Sequence, residues 1–152
     1  MDLTVIDVLK ETAQKHQHKV AIKYKKNNLW ISVTWQEYQE KVFSFARGLI
    51  ENGLNSNDHV VILSQNCFEW VVANLASIAA GGVPAGIYPT SSSEQCAYII
   101  NHCKATVAIV ENQEQLNKIK ELKPVLPSLK FVVLIQGEDA DSNVYSWKEI
   151  EQ

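Results

Sequence analysis

Two patterns of apolar spacing follow one another along the chain and meet near residue 57. In the first, Thr4 followed by Asp7 gives a helix start, and Val5, Val8 and Leu9 supply the spacing of one buried face as far as His16. The runs VAIKY (20–24) and LWISVT (29–34) are rich in β-prone residues and are separated by Lys25-Lys26-Asn27-Asn28, so they predict a hairpin. Thr34 with Glu37 forms a reciprocal capping pair, and the row Tyr38, Val42, Phe45, Leu49 predicts a helix that ends at Gly53.

From His59 short apolar runs alternate with helical stretches, the pattern of parallel β-α-β units. The strands are HVVIL (59–63), VPAGIY (83–88), TVAIV (106–110) and FVVLI (131–135). The helices fall at 68–80, 92–103 and 114–122, the second opened by Ser91 with Glu94. Continuous β-branched runs imply strands covered on both faces. The predicted fold class is therefore α/β: a helix-hairpin-helix start over 1–56, then a parallel β-α-β layered sheet over 57–152. Ser146 with Glu149 opens a final helix carrying Trp147 and Ile150 as buried-face candidates, and a helix that begins so late reads as part of a longer protein.

Composition narrows the classes. A chain of 152 residues with 46% apolar and 20% charged residues is an ordinary globular chain, able to bury roughly 68–70% of its unfolded surface. The formal net charge of −3 gives no electrostatic footprint for nucleic acid. The single basic cluster, Lys23, Lys25 and Lys26, precedes Asn27-Asn28 and reads as a solvated hairpin tip rather than a phosphate patch. Three cysteines, Cys67, Cys96 and Cys103, make no C-x-x-C pair, which suits a reducing compartment; the expectation is cytoplasmic, with peripheral attachment to a membrane left open. The start of the chain is too polar for a signal peptide, and the run 70–87 is interrupted by Asn74, Ser77, Gly81, Gly82 and Pro84, so it reads as helix then strand and not as a membrane span.

The stretch AAGGVPAGIYPTSSSE (79–94) is where a nucleotide site would be sought. Phosphate-binding glycines follow a strand and precede a helix, because the helix N-terminus presents free N–H groups. Gly81 and Gly82 follow a helix and precede a strand, so they read as a helix stop. Neither G-x-G-x-x-G nor G-x-x-x-x-G-K-[ST] occurs in the chain. The second half, YPTSSSE, has the opposite polarity and lies where open α/β sheets place ligands; SQNCFEW (64–70) is the equivalent loop after the preceding strand. Cys96, Ile99, Ile100 and Cys103 carry the spacing of a packed helix face rather than of a metal site, and no catalytic triad or metal-ligand set can be defended, so no catalytic residue is assigned.

The segments TWQEYQEKVFSFARGLIENGL and DHVVILSQNCFEWVVANLASIAAGGVPAGIYPTSSSEQCAYIINHCKATVAIVEN, in that order, resemble the N-terminal part of AMP-forming acyl-CoA synthetases, within a larger adenylate-forming domain. GGVPAGIYPTSS looks most like the long-chain fatty-acid branch. The resemblance implies a ligase that uses ATP, Mg2+, a fatty acid and CoA, with the phosphate loop, adenine motif and catalytic Lys outside these residues, so that this stretch alone is inactive. It further implies that Tyr88, Pro89, Thr90 and Ser91 lie beside the pantetheine tunnel, Pro89 and Thr90 standing where some relatives have glycines. Lys118 falls in a region that holds the CoA nucleotide through arginines in some relatives. The alternatives are another adenylate-forming enzyme (a medium-chain or aryl-acid ligase, a luciferase-like oxidase, a peptide-synthetase adenylation domain) or a non-catalytic α/β interaction module. Self-association through exposed apolar surface is also expected of such a stretch taken alone.

Overall fold

Side-chain caps set where most helices begin. The structure, a computed structural model, describes residues 3–152. In chain order the elements are α1 (Val5–Lys15), β1 (Val20–Lys26), β2 (Leu29–Thr34), α2 (Trp35–Glu51), β3 (His59–Leu63), α3 (Phe68–Ala79), β4 (Val83–Ile87), α4 (Ser93–Cys103), β5 (Val107–Val110), α5 (Gln113–Leu122), a 3-10 turn (Lys123–Val125), β6 (Phe131–Leu134), β7 (Val144–Ser146) and α6 (Trp147–Glu151). Reciprocal caps open α1 (Thr4 with Asp7), α2 (Thr34 with Glu37) and α6 (Ser146 with Glu149), as the spacing requires. The fourth such cap corrects an expectation. Helix α4 is opened by Ser92 with Gln95, not by Ser91 with Glu94. The reason is local: the Ser91 N–H closes a turn onto the Tyr88 carbonyl, and the first helical bond runs from the Cys96 N–H to the Ser92 carbonyl.

Strands β3 to β7 form one five-stranded parallel sheet in the order β4-β3-β5-β6-β7, while β1 and β2 pair separately as an antiparallel hairpin. Both faces of the sheet are covered. Alternate residues Val60, Ile62, Val107, Ile109, Phe131 and Val133 join a core with α2 and α3. Their neighbours Val61, Leu63, Ala108, Val110, Val132 and Leu134 join a second core with α4 and α5. Strand β4 is an edge, and Pro84 is tolerated there because only one side of the strand needs its N–H groups. Two departures from the sequence reading remain. Strand β7 is an element the apolar pattern does not announce, and Val5 and Val8 are exposed, so that α1 buries only Leu9 and Ala13.

Helix α6 docks on α2 through a glycine. Gly48 leaves no room for a side chain: a Cβ there would lie 1.9 Å from the Ile150 carbonyl oxygen. Around that approach Trp147 stacks on Phe45 at 4.0 Å between ring centroids, Ile150 is fully buried, and the Ser44 hydroxyl donates to the Glu151 carbonyl at 2.6 Å. The final helix thus packs one face against α2 while Lys148 and Glu149 stay exposed.

Candidate functional site

Chain direction in the sheet singles out one edge. From β3 the chain passes through α3 to β4 on one side, then returns through α4 to β5 on the other side of β3. Helices α3 and α5, which follow the adjacent strands β3 and β5, therefore leave the sheet toward opposite faces. That reversal marks the carboxyl ends of β3 and β5 as the place where open α/β sheets hold ligands. The Gln65 N–H donates to the Glu111 carboxylate at 2.8 Å, which ties the loop after β3 to the loop after β5. In the first of these loops the Cys67 sulfur caps α3 by accepting from the Trp70 N–H at 3.4 Å, with the Ser64 hydroxyl 3.6 Å from the sulfur. Burial pushes the Cys67 thiol up, against the hydrogen bonds from Ser64 and the Trp70 N–H.

The glycine pair lies at the opposite, amino edge. Gly81 has φ +83°, and its N–H donates to the Ile78 carbonyl at 2.9 Å while the Gly82 N–H donates to the Ser77 carbonyl at 2.8 Å. This is a Schellman stop: the two N–H groups a phosphate would need are spent on the helix's own last carbonyls. Asn57 N–H in turn donates to the Gly81 carbonyl at 2.8 Å, closing the approach to β3. Among the described residues, no group of three His, Cys, Asp or Glu side chains is placed to hold a metal ion. The glycine pair therefore has no free N–H group to present to a phosphate.

The loop after β4 and helix α5, distant in sequence, are brought together. The Lys118 ammonium donates to the Ser91 carbonyl at 2.9 Å, and the Gln115 amide donates to the Pro89 carbonyl at 3.3 Å. Gln115 is only 5% exposed, and its Oε1 is buried without a hydrogen-bond partner. Such a group costs about 1–3 kcal/mol unless something donates to it. Asn112 opens α5 by accepting from the Gln115 N–H at 3.1 Å, which fixes the first turn of the helix against the loop. Tyr88 is 82% exposed, while Pro89 and Ser91 are half-buried and Thr90 is exposed. Cys96 lies below this loop; burial pushes its thiol up, and the charge of Lys118 opposes that shift. The anchoring role of Gln115 is visible in sequence only as a polar residue on the apolar stripe of α5, one turn before Ile119. Beyond α5, Lys120 pairs with Asp139 at 2.6 Å and holds the loop before β7.

The family model described as "AMP-binding enzyme" matches residues 9–152. The chain belongs to the AMP-binding enzyme family. A long-chain-fatty-acid–CoA ligase of Xenopus laevis, ACSBG2, is 36% identical over 152 residues, covering 99% of this chain and 21% of the relative. Its Gallus gallus namesake is 34% identical over 149 residues, covering 96% of this chain and 20% of the relative. The chain thus spans about a fifth of the length of these AMP-binding relatives. Among solved structures, coronafacic acid ligase from Pectobacterium brasiliense superposes with a TM-score of 0.86 at 19% identity, over 97% of this chain and 29% of that one. At that identity the likeness establishes the shared fold, which for this family member is the parallel α/β layer described above.

Proposed function

We propose that the chain serves within an ATP-dependent long-chain fatty acid–CoA ligase, which joins a fatty acid to CoA with release of AMP and pyrophosphate. The observation that carries this reading is the match of nearly the whole chain to two fatty-acid–CoA ligases at 34–36% identity. Within that enzyme, these residues act as scaffold and as one wall of the path that CoA takes. The loop Tyr88–Ser91 lies at the carboxyl edge of the sheet, and its backbone is pinned at two carbonyls by Gln115 and Lys118. Pinning matters because a wall that shifts by 1 Å can misplace the attacking thiol enough to cost about 100-fold in rate. Pantetheine carries amide N–H groups, and the unpartnered Gln115 Oε1 is an acceptor suited to one of them. Lys118 spends one N–H on Ser91 and keeps donors for a nucleotide phosphate.

ATP and Mg2+ are held elsewhere in this reading, because Gly81 and Gly82 have no free N–H groups to offer. The 152-residue chain alone is accordingly inactive. Its open β4 edge, with Val83 43% exposed and Tyr88 82% exposed, is where isolated copies would associate. The three free thiols fit the cytoplasm. The docking of α6 on α2 would also suit an independent interaction module, but the family match outweighs it.

The test is direct. Given ATP, oleate and CoA, the natural full-length protein should release pyrophosphate and form oleoyl-CoA, and the 152-residue chain should release none. Turnover by the short chain would refute the scaffold role. A full-length protein active on aryl or short acids and inert to oleate would move the assignment to another adenylate-forming ligase.

A further inference from the structure

The β1–β2 hairpin carries lysines and no carboxylate. Lys19, Lys23, Lys25 and Lys26 all fall within residues 19–34, which contain no Asp or Glu, in a chain of formal net charge −3. The ion pairs among the described residues are Lys41–Glu151, Lys120–Asp139 and Lys130–Asp58, so none of these hairpin lysines is paired with a carboxylate. Asn27 and Asn28, with φ of 50° and 62°, make the tight two-residue turn that suits the twist of the ribbon. Pairing then sets Leu29 opposite Lys26 and Trp30 opposite Lys25. Leu29 is 67% exposed and Trp30 69% exposed, and neither belongs to either core.

The base of the same ribbon is firmly held. Tyr24 stacks on Phe68 of α3 at 4.9 Å between ring centroids, Val33 is buried, and the Trp35 N–H donates to the Lys19 carbonyl at 3.0 Å. A rigid ribbon therefore presents a tryptophan, a leucine and three unpaired ammonium groups at its end. Lysines alone would suit any polyanion. A tryptophan and a leucine beside them add apolar bodies that gain from an environment with an apolar interior under an anionic surface.

We propose that the β1–β2 tip docks end-on against an anionic lipid surface: Trp30, on the ribbon face it shares with Lys23 and Lys25, and Leu29, on the other face with Lys26, enter the headgroup boundary from the two sides of the turn while the lysines lie over the lipid phosphates and carboxylates. Tryptophan settles at that boundary because its ring is apolar and its N–H is wet. Each lysine near such a surface strengthens binding about fivefold, and salt weakens the effect. This inference does not rest on the ligase reading.

The test uses the natural full-length protein and vesicles of phosphatidylcholine, with and without phosphatidylserine, in a flotation assay. Binding should require phosphatidylserine and weaken at high salt. Replacing the three lysines together (K23Q, K25Q, K26Q) should lower the partition coefficient on the order of 100-fold. Trp30→Ala should lower it on the order of tenfold and abolish quenching by lipids brominated near the headgroup. All four positions are exposed, so an unchanged thermal midpoint verifies folding. Failure to bind anionic vesicles, or binding that these variants leave unchanged, would overturn the proposal. Equal binding to a soluble acidic polypeptide, with no dependence on Trp30, would assign an acidic protein partner and overturn it as well.

Discussion

Gly48 gives the sharpest test of the packing. In the interior of a helix glycine is a weak choice, and alanine there should stabilise by about 1 kcal/mol through propensity alone. Here the opposite is expected. An alanine Cβ would sit 1.9 Å from the Ile150 carbonyl oxygen and 2.8 Å from its carbon, so α6 must retreat by about 1 Å or more. Retreat puts at risk the burial of Ile150, about 1.5–3 kcal/mol, and the Phe45–Trp147 stack, about 0.5–1.5 kcal/mol. The hydrogen bond from Ser44 to Glu151 adds about 1 kcal/mol. Less the gain in propensity, Gly48→Ala should destabilise by about 2–4 kcal/mol. With a urea slope of about 2 kcal/mol/M, the midpoint should fall by about 1–2 M. In a chain already carrying Trp147→Ala and Ile150→Ala, the same change should cost less, because the burial and stacking that a retreat of α6 forfeits are already gone although the Ile150 backbone still stands against the new Cβ. A raised or unchanged midpoint for Gly48→Ala alone would refute the close approach of the two helices.

Further outcomes can be measured with the same denaturation assay. Ser92→Ala should cost about 1 kcal/mol through loss of the α4 cap, whereas Ser91→Ala, which contributes through its backbone, should stay within about 0.5 kcal/mol; the reverse order would restore Ser91 as the cap. Burial raises the Tyr38 hydroxyl from 10.0 to about 12, so above pH 10 the unfolded chain ionises while the folded one does not. Stability should then fall with rising pH between 10 and about 12, by up to about 3 kcal/mol relative to Tyr38→Phe. Parallel pH profiles for the two proteins would contradict this burial effect.

Most of the fold was legible because it is local. The caps at Thr4, Thr34 and Ser146, the β-branched strands and the glycine stop after α3 each follow from a few neighbouring residues. The misreadings have physical causes. Ser91, Ser92 and Ser93 are consecutive, and both Ser91–Glu94 and Ser92–Gln95 have capping spacing; the turn closed by the Ser91 N–H on Tyr88 chooses between them. Strand β7 is three residues long and exists because the sheet offers it an edge at β6, which no window of sequence contains. Val5 and Val8 fit an apolar stripe, yet the body that α1 packs against reaches only Leu9 and Ala13. At the candidate site, sequence marked the loop after β4 and Lys118 separately. Their union through Ser91 and Pro89 depends on α5 folding back beside that loop.

Substrate kinetics of Thr90→Phe in the full-length enzyme test the assignment of the β4 loop most directly. Thr90 is exposed on a loop whose flanking carbonyls are pinned, so a bulky side chain there would narrow the proposed CoA path without releasing the backbone. The KM for CoA should rise on the order of tenfold while the KM for ATP stays within about twofold. An equal rise for both substrates, or a rise for ATP alone, would contradict the placement of CoA at this loop.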